Sequence, residues 1–407
     1  MRSASAAALA EKLHLDDLQV DGRTVLVRAD LNLPVSDGVV SDDTRLRATL
    51  PTLETLLDRG AALVVMSHRG RPKGVSDARL SMAPVGEAMR AALGRDVTLL
   101  PDCVGEAVEE AVAGLHRGQV VLLENLRFHP GETANDDDFA RRLGALADIY
   151  VNDAFGAAHR AHASTVGVTR HVREAVAGRL MALEVEMLSR CVDDPQTPFV
   201  LVAGGAKVSD KLDAVANLMP LVDRLIIGGA MANAVLAAAG TEMGRSRIEE
   251  GSLELAADLL DKAAGHGVEV VLPDDFVVAP GLDDADDALV AQQVPAEAMA
   301  LDIGPASAER FAGALTDAST VLWNGPMGVF EIDRFAVGTR RVGEAIGAVA
   351  GRGGLSIVGG GDTVAAVAAF GLTDDMSHVS TGGGASLDLL SGALLPGIAA
   401  LTDRQRQ

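Results

Sequence analysis

The sequence predicts an α/β protein of two doubly wound parallel-sheet (Rossmann-like) domains joined by a helix, with an interdomain cleft. Three observations lead there. A chain of 407 residues is too long for one ordinary core, so about two domains are expected. Its short strands are apolar throughout and alternate with amphipathic helices, which is how a parallel sheet covered on both faces reads. The alternation pauses once, over residues 174–190, which read as one helix with Leu180, Leu183, Met187 and Leu188 at near-helical spacing and Pro195 and Pro198 behind it. The expected division is an N-terminal domain over residues 1–175, a connecting helix over 176–192 and a C-terminal domain over 193–393.

In chain order, MRSASAAALAEKLHL reads as a frayed start or a short helix. Residues 24–28 (TVLVR) form a buried strand that runs into ADLNLP, where Pro34 forbids an immediate helix. Asp42, Asp43 and Thr44 are N-cap candidates for a helix over 45–59 closed by Gly60, with Pro51 expected to kink or split it. A second strand, 61–67, ends in the basic loop His68-Arg69-Gly70-Arg71-Pro72-Lys73-Gly74. Helices near 84–93, 106–113 and 138–147 alternate with strands at 97–100, 120–123 and 149–152, the last two leading into ENLRFHPGE and DAFGAAHRAHAST.

The second half restarts with strand 199–202, followed by helix 209–218, strand 224–228, helices 230–239 and 253–266, and strand 268–272. Residues 279–287 (APGLDDADD) read as a solvated acidic loop, since the ligand pattern of an EF-hand is absent. Strand 320–323 leads into NGPMGVFE and strand 355–358 into GGGDT, and a further glycine run at 380–384 precedes the last helix.

Composition narrows the function. A formal charge of −22 argues against a general binder of nucleic acid or anionic membrane, since such partners require a basic surface. Any anion site must therefore concentrate Arg, Lys and His locally. Cys103 and Cys191 are the only cysteines and lie outside any Cys-x-x-Cys, so neither a disulfide framework nor a zinc site is suggested, and a reducing, cytoplasmic setting fits. The N-terminus lacks the apolar core of a signal peptide, and no run nears the roughly 18 apolar residues of a membrane span.

Three loops that follow strands carry the positive groups: His68, Arg69, Arg71 and Lys73; Arg127 and His129; His159, Arg160 and His162. Ligands of open α/β sheets bind beyond the carboxyl ends of the strands, so these loops and Arg45 are expected to converge on one anion crevice. Each residue alone would be a solvated charge or a capping histidine; the recurrence is the signal. In the second half, LVAGGAKVSDKLD (201–213) places glycines where a helix starts, with Lys207 and Lys211 one helical turn apart. That stretch alone reads equally as a phosphate turn or as a βα turn with solvated lysines.

An arginine–histidine crevice on one sheet and glycine loops with lysines on the other suggest phosphoryl transfer across an interdomain cleft. Neither GxxxxGK[ST] nor the protein-kinase motifs occur, and no G-x-G-x-x-G follows the first strand. The last absence weakens the alternative of a dinucleotide-dependent dehydrogenase.

The runs VRADLNLP, DDTRLRATLPT, SHRGRP, ENLRFH, NDAFGAAHRAHAST, AGGAKVSDK, DIGP, WNGPMGVFE, GGGDT and STGGGAS occur in one order from which the chain resembles the phosphoglycerate kinase family, from about Leu15 to its end. The resemblance implies reversible transfer between MgATP and 3-phosphoglycerate, giving 1,3-bisphosphoglycerate and MgADP. It implies that Asp30, Asn32, Arg45, His68, Arg71, Arg127 and Arg160 hold phosphoglycerate. Gly205, Lys207, Lys211, Ala300, Asn324, Glu331, Gly359, Gly360, Gly361, Asp362 and Thr363 would bind the nucleotide, Glu331 at the ribose and Asp362 on Mg²⁺. Lys207 would follow the phosphoryl group in flight, Arg45 would meet it from the other domain, and Gly361 and Gly384 would join them in catalysis. The same resemblance implies that the tail 394–407 folds back onto the N-terminal domain and that the helix 174–190 and Ser380–Thr381 sit where the enzyme hinges. A monomer is expected. Leu31, Ala29 and Ala300 depart from the family pattern, the first two as packing changes and Ala300 at a contact to the nucleotide. A non-catalytic relative would need a lost catalytic group, and none of the mapped positions is lost.

Overall fold

Two six-stranded, all-parallel sheets carry the chain, each within its own compact unit. The structure is a computed structural model and describes residues 3–205 and 209–404. Residues 4–186 and the C-terminal segment from Leu394 make one unit, and 187–393 make the other.

In the first unit the sheet runs Val97–Leu99, Val120–Leu122, Ala62–Met66, Thr24–Arg28, Ile149–Asn152, Glu174–Ala177. Numbered as the chain visits them, the strands stand in the order 3-4-2-1-5-6. Thr24–Arg28 is the hub, paired with Ala62–Met66 on one side and Ile149–Asn152 on the other. Its direction of winding reverses between the first and fifth strands, and a crevice opens at that switch point. Leu26, Val27, Leu63, Val65 and Val151 are fully buried, as are Ala29 and Leu31, so those two departures are accommodated inside the core.

The second sheet runs Glu269–Val271, Arg224–Ile227, Phe199–Ala203, Thr320–Asn324, Leu355–Gly359, His378–Val379. In visiting order that is 3-2-1-4-5-6, the arrangement of dinucleotide-binding folds. Its switch point lies between Phe199–Ala203 and Thr320–Asn324, whose following loops are GGAK and GPMG.

Four features differ from the sequence expectation. Residues 174–190 are not one helix: Glu174–Ala177 adds to the open edge of Ile149–Asn152, and the helix begins afterwards as Arg179–Asp193. Pro51 does not split its helix, which runs as Thr44–Asp58 with Leu46, Leu53 and Leu56 fully buried on both sides of the proline. The chain around the acidic insert forms a three-stranded antiparallel sheet of Leu289–Ala291, Phe276–Ala279 and Met299–Ile303. Val35–Ser36 and Val39–Val40 form a hairpin whose turn residues Asp37 and Gly38 both have positive φ, the requirement of a two-residue hairpin loop.

The tail packs within the first unit. Lys12 Nζ donates to Ala399 O (2.9 Å), Leu401 O (2.8 Å) and Asp403 Oδ1 (2.7 Å), and Thr402 N–H donates to Ala175 O (2.9 Å). Among the described residues no helix is long and apolar enough to cross a membrane.

Two buried carboxyls anchor helix starts. Asp153 Oδ1 accepts from Leu180 N–H (3.0 Å) and Met181 N–H (3.2 Å), and Asp302 Oδ2 accepts from Gly338 N–H (2.7 Å). Burial pushes Asp153 up to about 7 and Asp302 up to about 8, against the opposing pull of these hydrogen bonds. Both folded values exceed the unfolded value of about 3.9, so the native state holds protons that the unfolded chain releases. Their contribution is full below pH ~4 and is lost as pH rises through about 7 for Asp153 and about 8 for Asp302. Asp153→Asn keeps the acceptor and removes the titration, so its urea midpoint should fall less than the wild type's between pH 4 and 7, by on the order of 4 kcal/mol in stability. Parallel pH profiles would show that Asp153 is ionised in the fold.

Candidate active site

The crevice of the first sheet is assembled from loops that leave adjacent strands. Thr24–Arg28 delivers Asp30 and Asn32, Ala62–Met66 delivers His68 and Arg71, Val120–Leu122 delivers Arg127, and Ile149–Asn152 delivers Arg160. Arg45 comes from the first turn of Thr44–Asp58. Asp30 is buried and pairs with Arg45 at 3.2 Å, while its Oδ1 has no hydrogen-bond partner among the described residues. Burial alone would raise the Asp30 carboxyl; the positive charges of Arg45 and Arg28 outweigh it and hold it below its ordinary value.

The loops are tied to one another. Asn32 Oδ1 accepts from Gly70 N–H (2.9 Å), and Arg127 donates to Gly70 O (2.8 Å). Asn125 binds both sides, donating to Arg69 O (2.7 Å) and Leu80 O (2.9 Å) and accepting from Arg127 N–H (3.1 Å). Arg160 Nε donates to His159 Nε2 at 3.0 Å. Among the described residues no carboxylate pairs with Arg71, Arg127 or Arg160. Burial, and then the crowding of Arg28, Arg160 and Arg71, lowers Arg127 below its ordinary value. Like charges held this close, with no carboxylate paired to them among the described residues, favour an anion between them. His162 is buried beside Glu132, 3.7 Å away, and burial pushes it down to about 4; its carbonyl accepts from Val166 N–H (2.8 Å).

In the second unit a cleft of about 320 Å³ is lined by Gly205, Gly229, Phe276, Met299, Ala300, Leu301, Met327, Glu331 and Asp362 among others. The antiparallel sheet supplies its apolar wall through Phe276, Met299 and Leu301. Gly205 has φ +82° and its N–H bonds Pro326 O (2.9 Å), so the two switch-point loops are stitched together by backbone. Lys211 Nζ donates to Gly204 O and to Asn324 O (3.2 Å). Asn324 is buried and its Nδ2 has no partner among the described residues. Ala300 N–H donates to Ser246 Oγ (2.8 Å).

Gly359 ends its strand, Gly360 has φ +88°, and Gly361 opens the helix Gly361–Ala369, with Asp362 exposed in its first turn. Thr363 is buried, and its Oγ1 accepts from Gly325 N–H (2.6 Å), leaving the hydroxyl proton as its remaining donor. Gly384 opens a separate helix, Gly384–Leu390. Of the expected nucleotide-binding residues Gly205, Ala300, Glu331 and Asp362 line the cleft, whereas Lys211, Asn324, Gly359, Gly360, Gly361 and Thr363, like Gly384, do not. Lys207 lies outside the described residues.

Sequence reasoning missed the polar groups behind these loops: Arg28, Ser67, Asn125, Glu132 and Ser164, all buried. The available signal was a charge or amide inside or just after an apolar run, as in TVLVR and VVLLEN.

Comparison with known proteins agrees with this geometry. The phosphoglycerate kinase family model matches residues 15–393. A phosphoglycerate kinase of Moorella thermoacetica is 54% identical over 395 residues, covering 97% of this chain and 100% of that one. One from Thermosynechococcus vestitus is 49% identical over 96% of this chain and 98% of its own. Solved phosphoglycerate kinase structures from Coxiella burnetii and Pyrococcus horikoshii superpose with TM-scores of 0.83 and 0.85 at 40% and 32% identity, each over 96% of this chain and 98% of theirs. With a family match over nearly its whole length, relatives that share about half its residues and solved structures that superpose over 96% of it, the chain belongs to the phosphoglycerate kinase family.

Proposed function

We propose that this chain transfers a phosphoryl group reversibly between MgATP and the carboxylate of 3-phosphoglycerate, giving 1,3-bisphosphoglycerate and MgADP, as a cytoplasmic monomer serving glycolysis and gluconeogenesis. The observation that carries the reading is the group Arg71, Arg127 and Arg160, without carboxylate partners among the described residues, at the switch point of a sheet in a chain of formal charge −22. A substrate bearing both phosphate and carboxylate calls for such forked donors. With Asp30, Asn32, Arg45 and His68, they hold phosphoglycerate.

The cleft of the second unit takes the nucleotide. Its apolar wall suits a flat base and Glu331 the ribose hydroxyls. Lys211, Thr363 and the backbone of Gly359, Gly360 and Gly361, which stand outside that lining on the segments that also carry Gly205 and Asp362, would meet the phosphates. Asp362 is an exposed carboxylate on that cleft with no ion-pair partner among the described residues, and one carboxylate beside phosphates is the usual protein share of a Mg²⁺ site. Mg²⁺ bound there would neutralise charge on the phosphate oxygens.

The nucleophile is a carboxylate, ionised at pH 7, so no general base is required. Catalysis then consists of positioning and of stabilising charge on the transferring group, the role of Arg45 and Lys207 together with N–H groups around Gly361 and Gly384. An acyl phosphate hydrolyses readily, so closure of the two units over the substrates before transfer completes the proposal.

In a coupled assay with 3-phosphoglycerate, MgATP, NADH and glyceraldehyde-phosphate dehydrogenase, the dehydrogenase should reduce the 1,3-bisphosphoglycerate that the protein forms and NADH should be consumed; none consumed at high enzyme concentration would overturn the assignment. Lys207→Ala should lower kcat by about a hundredfold or more and leave the phosphoglycerate KM nearly unchanged. Arg160→Ala should raise the phosphoglycerate KM by roughly tenfold with the MgATP KM within about twofold, and an equal rise in both would refute the division of binding between the sheets.

A further inference from the structure

Behind the anion crevice runs a buried chain of polar groups that the reaction scheme does not use. Arg28, the last residue of the hub strand, is 1% exposed, and Glu132 is 0% exposed. Ser164 stands between them: its Oγ donates to Glu132 Oε1 (2.6 Å) and accepts from Arg28 Nε (2.9 Å), and its N–H donates to Glu132 Oε2 (3.0 Å). Arg28 then reaches His68, with 3.1 Å between its terminal nitrogen and Nδ1. A further arm of Arg28 bonds Ala29 O.

We propose that Glu132 and Ser164 are positioning residues which, through Arg28, hold His68 as a neutral imidazole with its proton on Nε2, the donor form that the phosphoglycerate crevice requires. The direction of every bond follows from chemistry. A guanidinium only donates, so Nδ1 accepts and carries no proton, and the neutral ring must carry its proton on Nε2. A protonated ring would turn an N–H against the guanidinium. The serine hydroxyl has one proton; spent on Glu132, it leaves lone pairs for Arg28. A buried guanidinium requires nearby opposite charge; Asp30 supplies part of it, and Glu132 supplies the rest across Ser164.

The charged groups facing His68 are Arg28, Asp30, Arg127 and Arg45. Burial first, and then Arg28, drives its pKa well below the ordinary histidine value, with Asp30 opposing. Glu132 is faced by His162 and lies close enough to Arg127, Tyr150 and Cys103 to act on each electrostatically. It therefore links the loop carrying Arg127 to the loop carrying Arg160.

The kinetic consequence rests on the phosphoglycerate reading of the crevice; the protonation state does not. With ¹⁵N-histidine labelling, and His68→Gln to assign the signal, long-range ¹H–¹⁵N spectra of the full chain should show His68 as the Nε2–H tautomer throughout pH 6–8. A wild-type His68 that titrates in that range, or carries its proton on Nδ1, overturns the proposal. Glu132→Gln and, independently, Ser164→Ala should each mix the tautomers and raise the phosphoglycerate KM roughly tenfold, with the MgATP KM unchanged. Glu132→Asp should recover part of the loss. A folded variant of either kind that keeps a pure Nε2–H signal refutes the relay. The expected spectra without any kinase activity would instead refute the assigned reaction and leave the relay standing.

Discussion

Both sheets depend on one arrangement: the first strand of each lies inside the sheet and pairs in parallel on both sides. Thr24–Arg28 lies between Ala62–Met66 and Ile149–Asn152, and Phe199–Ala203 between Arg224–Ile227 and Thr320–Asn324. Parallel pairing sends every strand's carboxyl end to the same edge, and a central first strand makes the winding reverse beside it. In one unit the reversal gathers Asp30, His68, Arg127 and Arg160; in the other it joins Gly205 to Pro326 and Lys211 to Asn324. The two sites are alike in origin and opposite in chemistry.

The first crevice gathers side-chain cations, whereas the second cleft is bordered by glycine turns and an apolar wall. In a chain of formal charge −22 the cations must be kept from local carboxylates, and those nearest the crevice are already committed. Asp30 is bound to Arg45, and Glu132 is buried behind Ser164. Arg71, Arg127 and Arg160 thus keep their attraction for a ligand. The second site instead places glycine turns against buried Asn324, where a side chain at Gly360 would come within 2.9 Å of the Asn324 amide oxygen. Close backbone approach there needs glycine.

Much of this was legible along the chain. The alternation of apolar strands and helices led to two parallel sheets, and the rule that ligand loops follow strands led to His68, Arg71, Arg127 and Arg160. Local pattern failed where an element's partner decided its state. Residues 174–177 have no intrinsic reason to be extended until the edge of Ile149–Asn152 is there to pair with. Pro51 reads as a break until burial of Leu46, Leu53 and Leu56 holds the helix together across it. The strands at 276–279, 289–291 and 299–303 are short and none alternates buried with exposed residues, so their period is weak.

The sequence by itself determined the fold class, the two cation- and glycine-bearing sets of loops and the family to which they belong. Those properties follow from periodicity and from motifs that are local in the chain. The tertiary structure alone decided which polar groups stand behind the site. Arg28 and Ser164 are 136 residues apart, and nothing in either neighbourhood indicates that one hydroxyl will serve both a guanidinium and the carboxylate of Glu132. A buried charge is affordable only when its partners arrive from elsewhere in the chain, so its role can be read only after the sheet has brought them together.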